Sequence, residues 1–257
     1  MTNWSSVNIQ GMGFVTGLVQ QPMEQDLKYV RTDVGGAFRW EKTLNQWVSI
    51  TDYLIGDSVT NIESIAIDPQ NKDVVYIATG NYIKDETVGK VDGEIWKSND
   101  RGQTWTTLNL KKTDGSKVRL GANASWRGAG ERLAVDPNNA NIIYFGSRYD
   151  GLFRTINNGQ TWEQVNTEKG TSGIGITFVA FDKNSTSNNQ TQKIYLGIAD
   201  KGVYVSNNSG QNWSFAGGGT SVPFRYDMFS DGTLYVTYAK WDGDPVGGSL
   251  WKAENGN

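Results

Sequence analysis

Three segments of the chain are copies of one another. Ser98-Asn-Asp-Arg-Gly-Gln-Thr-Trp105, Thr155-Ile-Asn-Asn-Gly-Gln-Thr-Trp162 and Ser206-Asn-Asn-Ser-Gly-Gln-Asn-Trp213 share the pattern Ser/Thr-x-Asp/Asn-x-Gly-x-Thr/Asn-Trp. Successive tryptophans lie 57 and 51 residues apart, a period that marks propeller blades or other repeat arrays. Each copy follows one short strand-like run (Glu94 to Lys97, Gly151 to Arg154, Gly202 to Val205) and precedes another (Thr106 to Leu108, Glu163 to Val165, Ser214 to Ala216). Upstream lies a second repeated pattern: Ile65-Ala-Ile-Asp-Pro69 with Val74-Val-Tyr-Ile-Ala78, then Leu133-Ala-Val-Asp-Pro137 with Ile142-Ile-Tyr-Phe-Gly146. A weaker copy is Val179-Ala-Phe-Asp182 with Lys193-Ile-Tyr-Leu-Gly197. Every unit therefore reads as four short strands, A to D, with an Asp-Pro-type turn between A and B.

Two degenerate units complete the pattern. Residues 17–50 carry Tyr29-Val-Arg31 and Ala37-Phe-Arg-Trp40, with Asn45-Gln-Trp47 in place of the full motif. Residues 224–257 carry Leu234-Tyr-Val-Thr-Tyr238 and Leu250-Trp-Lys252. Five units of about 50 residues span the 257-residue chain and leave no room for a helix of ordinary length. The expected fold is all-β, a β-propeller of four-stranded blades, with units at 11–50, 62–109, 130–166, 174–216 and 224–257. Asn3-Trp-Ser-Ser-Val7 resembles Gln46-Trp-Val-Ser-Ile50, so residues 3–9 can supply a closing strand to the last unit. Either the chain is a five-bladed ring closed this way, or it is part of a larger propeller.

The repeated motif is the Asp box, and its chemistry is that of a turn. The Asp or Asn side chain and the Gly hold the C-D connection while the Trp packs between sheets. Metal or ligand binding at Asp100, Asn157 and Asn208 is the competing reading, but two of the three are amides and each sits in a separate blade.

Strand alternation places all A-B and C-D turns on one face and all B-C turns and D-A links on the other. Function is expected on the second face, where lengths are irregular. Its B-C loops are 31–36, 80–93, 147–150, 199–202 and 239–248, and its D-A links include 51–63 and 111–130. These loops hold Asp33, Tyr82, Trp126, Arg127, Tyr149 and Trp241, with Asp85, Glu86, Asp150, Asp242 and Asp244 nearby. Aromatic rings among carboxylates and amides suit a sugar polymer, offering platforms for pyranose C-H faces and partners for hydroxyls. Tyr82, Trp126, Arg127, Tyr149 and Trp241 are the candidate substrate-binding residues; packing of the loops is the alternative role for each ring.

Composition narrows the chemistry. With no His and no Cys, Ser-His and Cys-His nucleophiles, a conventional zinc site and any disulfide framework are excluded. No cofactor is expected. Twenty-four basic against 27 acidic residues, a net charge of -3, leave no basic footprint for nucleic acid or an anionic membrane. No run approaches the roughly 18 apolar residues of a membrane span, and MTNWSSVNIQ lacks the features of a signal peptide.

The segment Arg31-Thr-Asp-Val-Gly-Gly-Ala-Phe-Arg-Trp40 is preceded by Gly11-Met-Gly-Phe-Val-Thr-Gly17 and followed by Glu63-Ser-Ile-Ala-Ile-Asp-Pro69 and Gly130-Glu-Arg-Leu-Ala-Val-Asp-Pro137. In this order the motifs closely resemble glycoside hydrolase family 74, which contains xyloglucan-specific endo-β-1,4-glucanases and reducing-end-specific relatives. The resemblance implies a secreted enzyme of plant cell-wall polysaccharide degradation, acting by inversion in a cleft between two seven-bladed propellers. It puts the general base at Asp33, in the Arg-Thr-Asp-x-Gly-Gly motif, and the general acid on a second propeller; no position here matches the acid's motif. Trp126 stands where the family usually has a small residue. Two other classes fit the repeats: a noncatalytic carbohydrate-binding propeller and a protein-binding Asp-box propeller.

Overall fold

The computed structural model describes residues 11, 13–56, 58–81, 93–171, 173–219, 221–240 and 248–253. The first blade consists of β1 (Val15–Gln20), β2 (Lys28–Thr32), β3 (Ala37–Glu41) and β4 (Gln46–Ser49). The second has β5 (Ile62–Asp68), β6 (Asn71–Thr79), β7 (Ile95–Ser98) and β8 (Thr106–Thr107); the third has β9 (Leu133–Asp136), β10 (Asn139–Gly146), β11 (Leu152–Thr155) and β12 (Glu163–Val165). In the fourth, β13 (Ile176–Phe181) leads into a small hairpin of β14 (Thr186–Ser187) and β15 (Gln190–Thr191), then β16 (Ile194–Ile198), β17 (Gly202–Ser206) and β18 (Ser214–Gly217). The fifth shows β19 (Val222–Met228), β20 (Leu234–Ala239) and β21 (Ser249–Ala253). Strands within each blade are antiparallel neighbours in chain order, with the β14-β15 hairpin standing apart. The protein is thus a ring of five blades, a β-propeller, with no helix among the described residues.

The second strand of a blade shows why the apolar runs are unbroken. Side chains alternate across a strand, so Val75 and Ile77 of β6 pack toward the first blade while Val74, Tyr76 and Ala78 pack toward the third. Both faces of each interior sheet are buried. The motif tryptophans fill the outer part of these interfaces: Trp105 donates to the Ile50 carbonyl at 2.8 Å and Trp162 to the Leu108 carbonyl at 3.1 Å, each on the preceding blade.

The motif turns are self-contained. Asp100 accepts from Ser98 Oγ (2.7 Å) and from the Gln103 and Thr104 amides (3.0 and 2.8 Å). Asn157 and Asn208 accept the equivalent bonds from Thr155 and Thr161 and from Ser206 and Asn212. A glycine is needed at Gly210, where φ is +78° and a Cβ would lie 2.1 Å from the Tyr144 hydroxyl.

The inner strands surround an axial hollow of about 450 Å³, walled by apolar side chains such as Ile65 and Leu133 and reaching Glu131 and Arg225. Arg225 of β19 joins the fifth blade to the first by donating to the Thr16 carbonyl.

Candidate active site

Asp33 stands in the β2-β3 turn on the irregular face. The turn is fixed by two bonds to Thr32 Oγ1 and the Gly36 carbonyl: the Gly35 amide donates to Thr32 Oγ1 (2.8 Å), and the Thr32 hydroxyl donates to the Gly36 carbonyl (2.9 Å). Gly36 has φ of +83°, and a Cβ there would lie 2.2 Å from Thr51 Oγ1, so this position admits no side chain. The Asp33 carboxylate accepts the Phe14 amide on Oδ1 at 2.7 Å and Arg127 Nε on Oδ2 at 2.8 Å. Its side chain is nearly buried, whereas that of Arg127 is 40% exposed. Each carboxylate oxygen carries a second lone pair, which leaves acceptor capacity for a water or a sugar hydroxyl.

Arg127 arrives on the link between the second and third blades, which crosses the face and is pinned from three sides. Arg31, fully buried beneath Asp33, donates from Nη1 to the Arg127 carbonyl (3.0 Å) and from Nη2 to the Ala129 carbonyl (3.0 Å). Arg148 of the third blade holds the Ser125 carbonyl at 2.7 Å. On the fifth blade the Phe224 carbonyl accepts the Gly130 amide, and its ring meets Trp126 edge-on at 6.2 Å between centroids. These ties hold Trp126 at φ of +64°, a left-handed conformation that costs an aromatic residue about 1–3 kcal/mol.

Below this surface lie two buried carboxylates at equivalent places, the heads of β5 and β9. Glu131 receives Arg31 Nε at 2.9 Å, Ser64 Oγ at 2.8 Å, the Ile65 amide at 2.9 Å and Arg225 at 3.3 Å. Burial pushes its carboxyl up, but Arg31, then Arg225 and the two Ser64-Ile65 bonds, outweigh that and hold it below its ordinary 4.5. Glu63 receives Arg148 Nε at 2.6 Å and the Gly121 amide at 2.9 Å, with Arg132 Nε 3.4 Å away. Burial and the neighbouring Arg148 push the Arg132 guanidinium down from its ordinary range.

The structure thus brings Asp33 and Arg127 together, and Trp126 precedes Arg127 on the link with its ring against Phe224. Tyr149 lies half-buried toward the other end of the same link, its ring 4.7 Å from the Arg119 guanidinium carbon, while Arg119 pairs with Asp150 at 2.8 Å. Tyr82 and Trp241 fall outside the described residues, as do Asp85, Glu86, Asp242 and Asp244. Sequence reasoning gave no role to Arg31, Glu63, Glu131 or Arg148. One signal was available: a glutamate precedes the apolar inner strand in both Glu63-Ser-Ile-Ala-Ile-Asp-Pro69 and Glu131-Arg-Leu-Ala-Val-Asp-Pro137.

The arrangement has close counterparts. A solved structure of a GH74 xyloglucanase from Xanthomonas campestris superposes with a TM-score of 0.82 at 35% identity, covering 97% of this chain and 37% of that one. The GH74 enzyme of Niastella koreensis gives the same TM-score at 33% identity over 95% of this chain and 36% of its own. Over nearly its whole length the chain is thus similar to part of the enzymes of glycoside hydrolase family 74. Among curated relatives, a xyloglucanase of a Paenibacillus species is 36% identical over 265 residues, 94% of this chain and 25% of that protein. No family model matches the chain. The chain spans about a quarter to a third of the length of the curated xyloglucanases it matches.

Proposed function

We propose that this chain supplies the base-bearing propeller of an inverting, secreted xyloglucan hydrolase. Asp33 takes a proton from the water that attacks the anomeric carbon, and the glycosidic oxygen is protonated by a carboxylic acid contributed from a second propeller. Inversion places two such groups about 6.5–9.5 Å apart with the water between one of them and the sugar. The observation that carries the reading is the Asp33 carboxylate itself. It is held by a backbone amide and by Arg127, the residue that follows Trp126 on the link, in a glycine-flanked turn on the irregular face. Trp126 offers a stacking surface to a pyranose ring, and Arg127 offers donors to hydroxyls once they compete for it; Tyr82, Tyr149 and Trp241 extend the sugar-binding face in this reading.

The test is reducing-sugar release from xyloglucan, measured on the chain alone and on the chain joined to a family 74 second propeller, each beside Asp33→Ala. The expected result is no release by the chain alone and release by the joined protein that falls at least about a thousandfold in the variant, as loss of a general base does. Release that survives Asp33→Ala overturns the assignment. A second reading, a noncatalytic carbohydrate-binding propeller, is favoured by the Arg127 ion pair that occupies Asp33. Xyloglucan binding by the joined protein without any release would select it.

A further inference from the structure

One residue meets Asp33 through both of its backbone groups. The Phe14 amide donates to Asp33 Oδ1 at 2.7 Å, and the Asp33 amide donates to the Phe14 carbonyl at 3.1 Å. These bonds lie directly beyond the Val15-Thr32 pair that opens the β1-β2 ladder, so Phe14 is held at the head of the innermost strand, against the carboxylate. Its side chain takes no part in the core. Phe14 is 63% exposed, the most exposed aromatic residue among the described residues, and it joins none of the buried apolar clusters. A single exposed apolar residue is ordinary on a protein surface; the attachment to Asp33 sets this one apart. The other aromatic residues of this face are engaged elsewhere: Trp126 lies against Phe224 and Tyr149 against Arg119.

Asp33 is therefore flanked by two unlike groups. Oδ1 takes the amide of Phe14, whose ring is in solvent, and Oδ2 takes Arg127, whose side chain is 40% exposed. A pyranose is two-sided in the same way, with an apolar C-H face and a rim of hydroxyls. We propose that the Phe14 ring is the platform for the sugar unit that meets Asp33, with Arg127 serving the hydroxyls of the same unit. This rests on the reading of the irregular face as the sugar-binding one and extends it to Gly11-Met-Gly-Phe-Val-Thr-Gly17, a motif to which that reading gave no contact with sugar.

The first measurement is calorimetric titration of the chain with a xyloglucan heptasaccharide. Phe14→Ala is expected to weaken binding about tenfold, Phe14→Leu by nearly as much because it keeps apolar bulk without a flat face, and Phe14→Tyr to stay within about twofold of the native chain. All three are expected to unfold at the native urea midpoint, since the side chain is largely in solvent. No binding by the native chain, native affinity in Phe14→Ala, or native affinity in Phe14→Leu each overturns the proposal.

A second measurement separates a platform from a residue that merely positions Asp33. In the chain joined to a second propeller, Phe14→Ala is expected to raise KM for xyloglucan about tenfold and leave kcat within about twofold, the pattern of lost uniform binding. A fall in kcat at unchanged KM overturns the proposal, because Phe14 would then act through the carboxylate it holds. The assignment of Asp33 as base fails on a different result: hydrolysis that survives Asp33→Ala removes the base and leaves a binding loss in Phe14→Ala standing.

Discussion

The B-C turns of the first and third blades are the same turn with opposite charges. Arg31 pairs with Ala37 where Gly146 pairs with Leu152, which puts Asp33 and Arg148 at equivalent positions. In both turns a hydroxyl, of Thr32 or Ser147, receives the amide three residues on. Yet Arg148 points inward to the fully buried Glu63, whereas Asp33 meets an arginine with 40% of its side chain in solvent. The fold supplies equivalent turn positions around the ring, and the link carrying Trp126 and Arg127 decides which of the two faces outward. A buried ion pair is a structural commitment; a carboxylate against a partly exposed guanidinium can exchange partners.

The comparison breaks most visibly at Arg148. Arg148→Ala leaves Glu63 buried with the Gly121 amide and, as its one cation, the poorly aligned Arg132, and is expected to cost about 3–5 kcal/mol in urea denaturation. Replacing both partners, Glu63→Leu with Arg148→Met, is expected to recover most of that loss, since apolar pairs of similar volume substitute well for buried ion pairs. Failure of the double variant to recover would mean that Arg148 matters chiefly through the Ser125 carbonyl and the link.

Glu131 supplies the pH dependence. Its folded value lies below 4.5, so its contribution is fully present above that pH and is lost as the pH falls through the lower folded value. Glu131→Gln is expected to be less stable at neutral pH and to lose less than the native protein on acidification to about pH 3. Parallel acid limbs would show that other carboxylates dominate.

Asp33→Asn comes next in size. It keeps the Phe14 bond and weakens only a partly exposed pair, so the expected stability loss is about 1 kcal/mol despite the loss of hydrolysis proposed for the joined protein. A loss as large as that of Arg148→Ala would make Asp33 a structural acid and erase the contrast between the two turns. Asp100→Asn is expected to be the smallest change, within about 0.5 kcal/mol, because Asn157 and Asn208 already make the same turn.

The blades were legible because their determinants are local. Motif oxygens bond within four residues of themselves, and strand alternation is written directly in Val74-Val-Tyr-Ile-Ala78. Asp33 was legible in part, through its glycine-flanked turn and its place on the irregular face. Its surroundings were not. Arg31 meets Glu131 across 100 positions, Asp33 meets Arg127 across 94, and Arg148 meets Glu63 across 85; no periodicity connects residues so far apart. The β14-β15 hairpin also went unread, although Asn188-Asn189, both left-handed, form a tight hairpin turn.

The sequence by itself determined a propeller of short antiparallel strands, set an irregular face apart from the face of the motif turns, and, with no histidine or cysteine, excluded Ser-His and Cys-His nucleophiles. Only the tertiary structure decided that Asp33 is held by Phe14 and Arg127, that Trp126 takes a left-handed conformation with its ring against Phe224, and that two buried arginines, Arg31 and Arg148, hold carbonyls of the crossing link. Strand pattern and turn type depend on neighbours along the chain, whereas charge pairing depends on which blades the closed ring brings face to face.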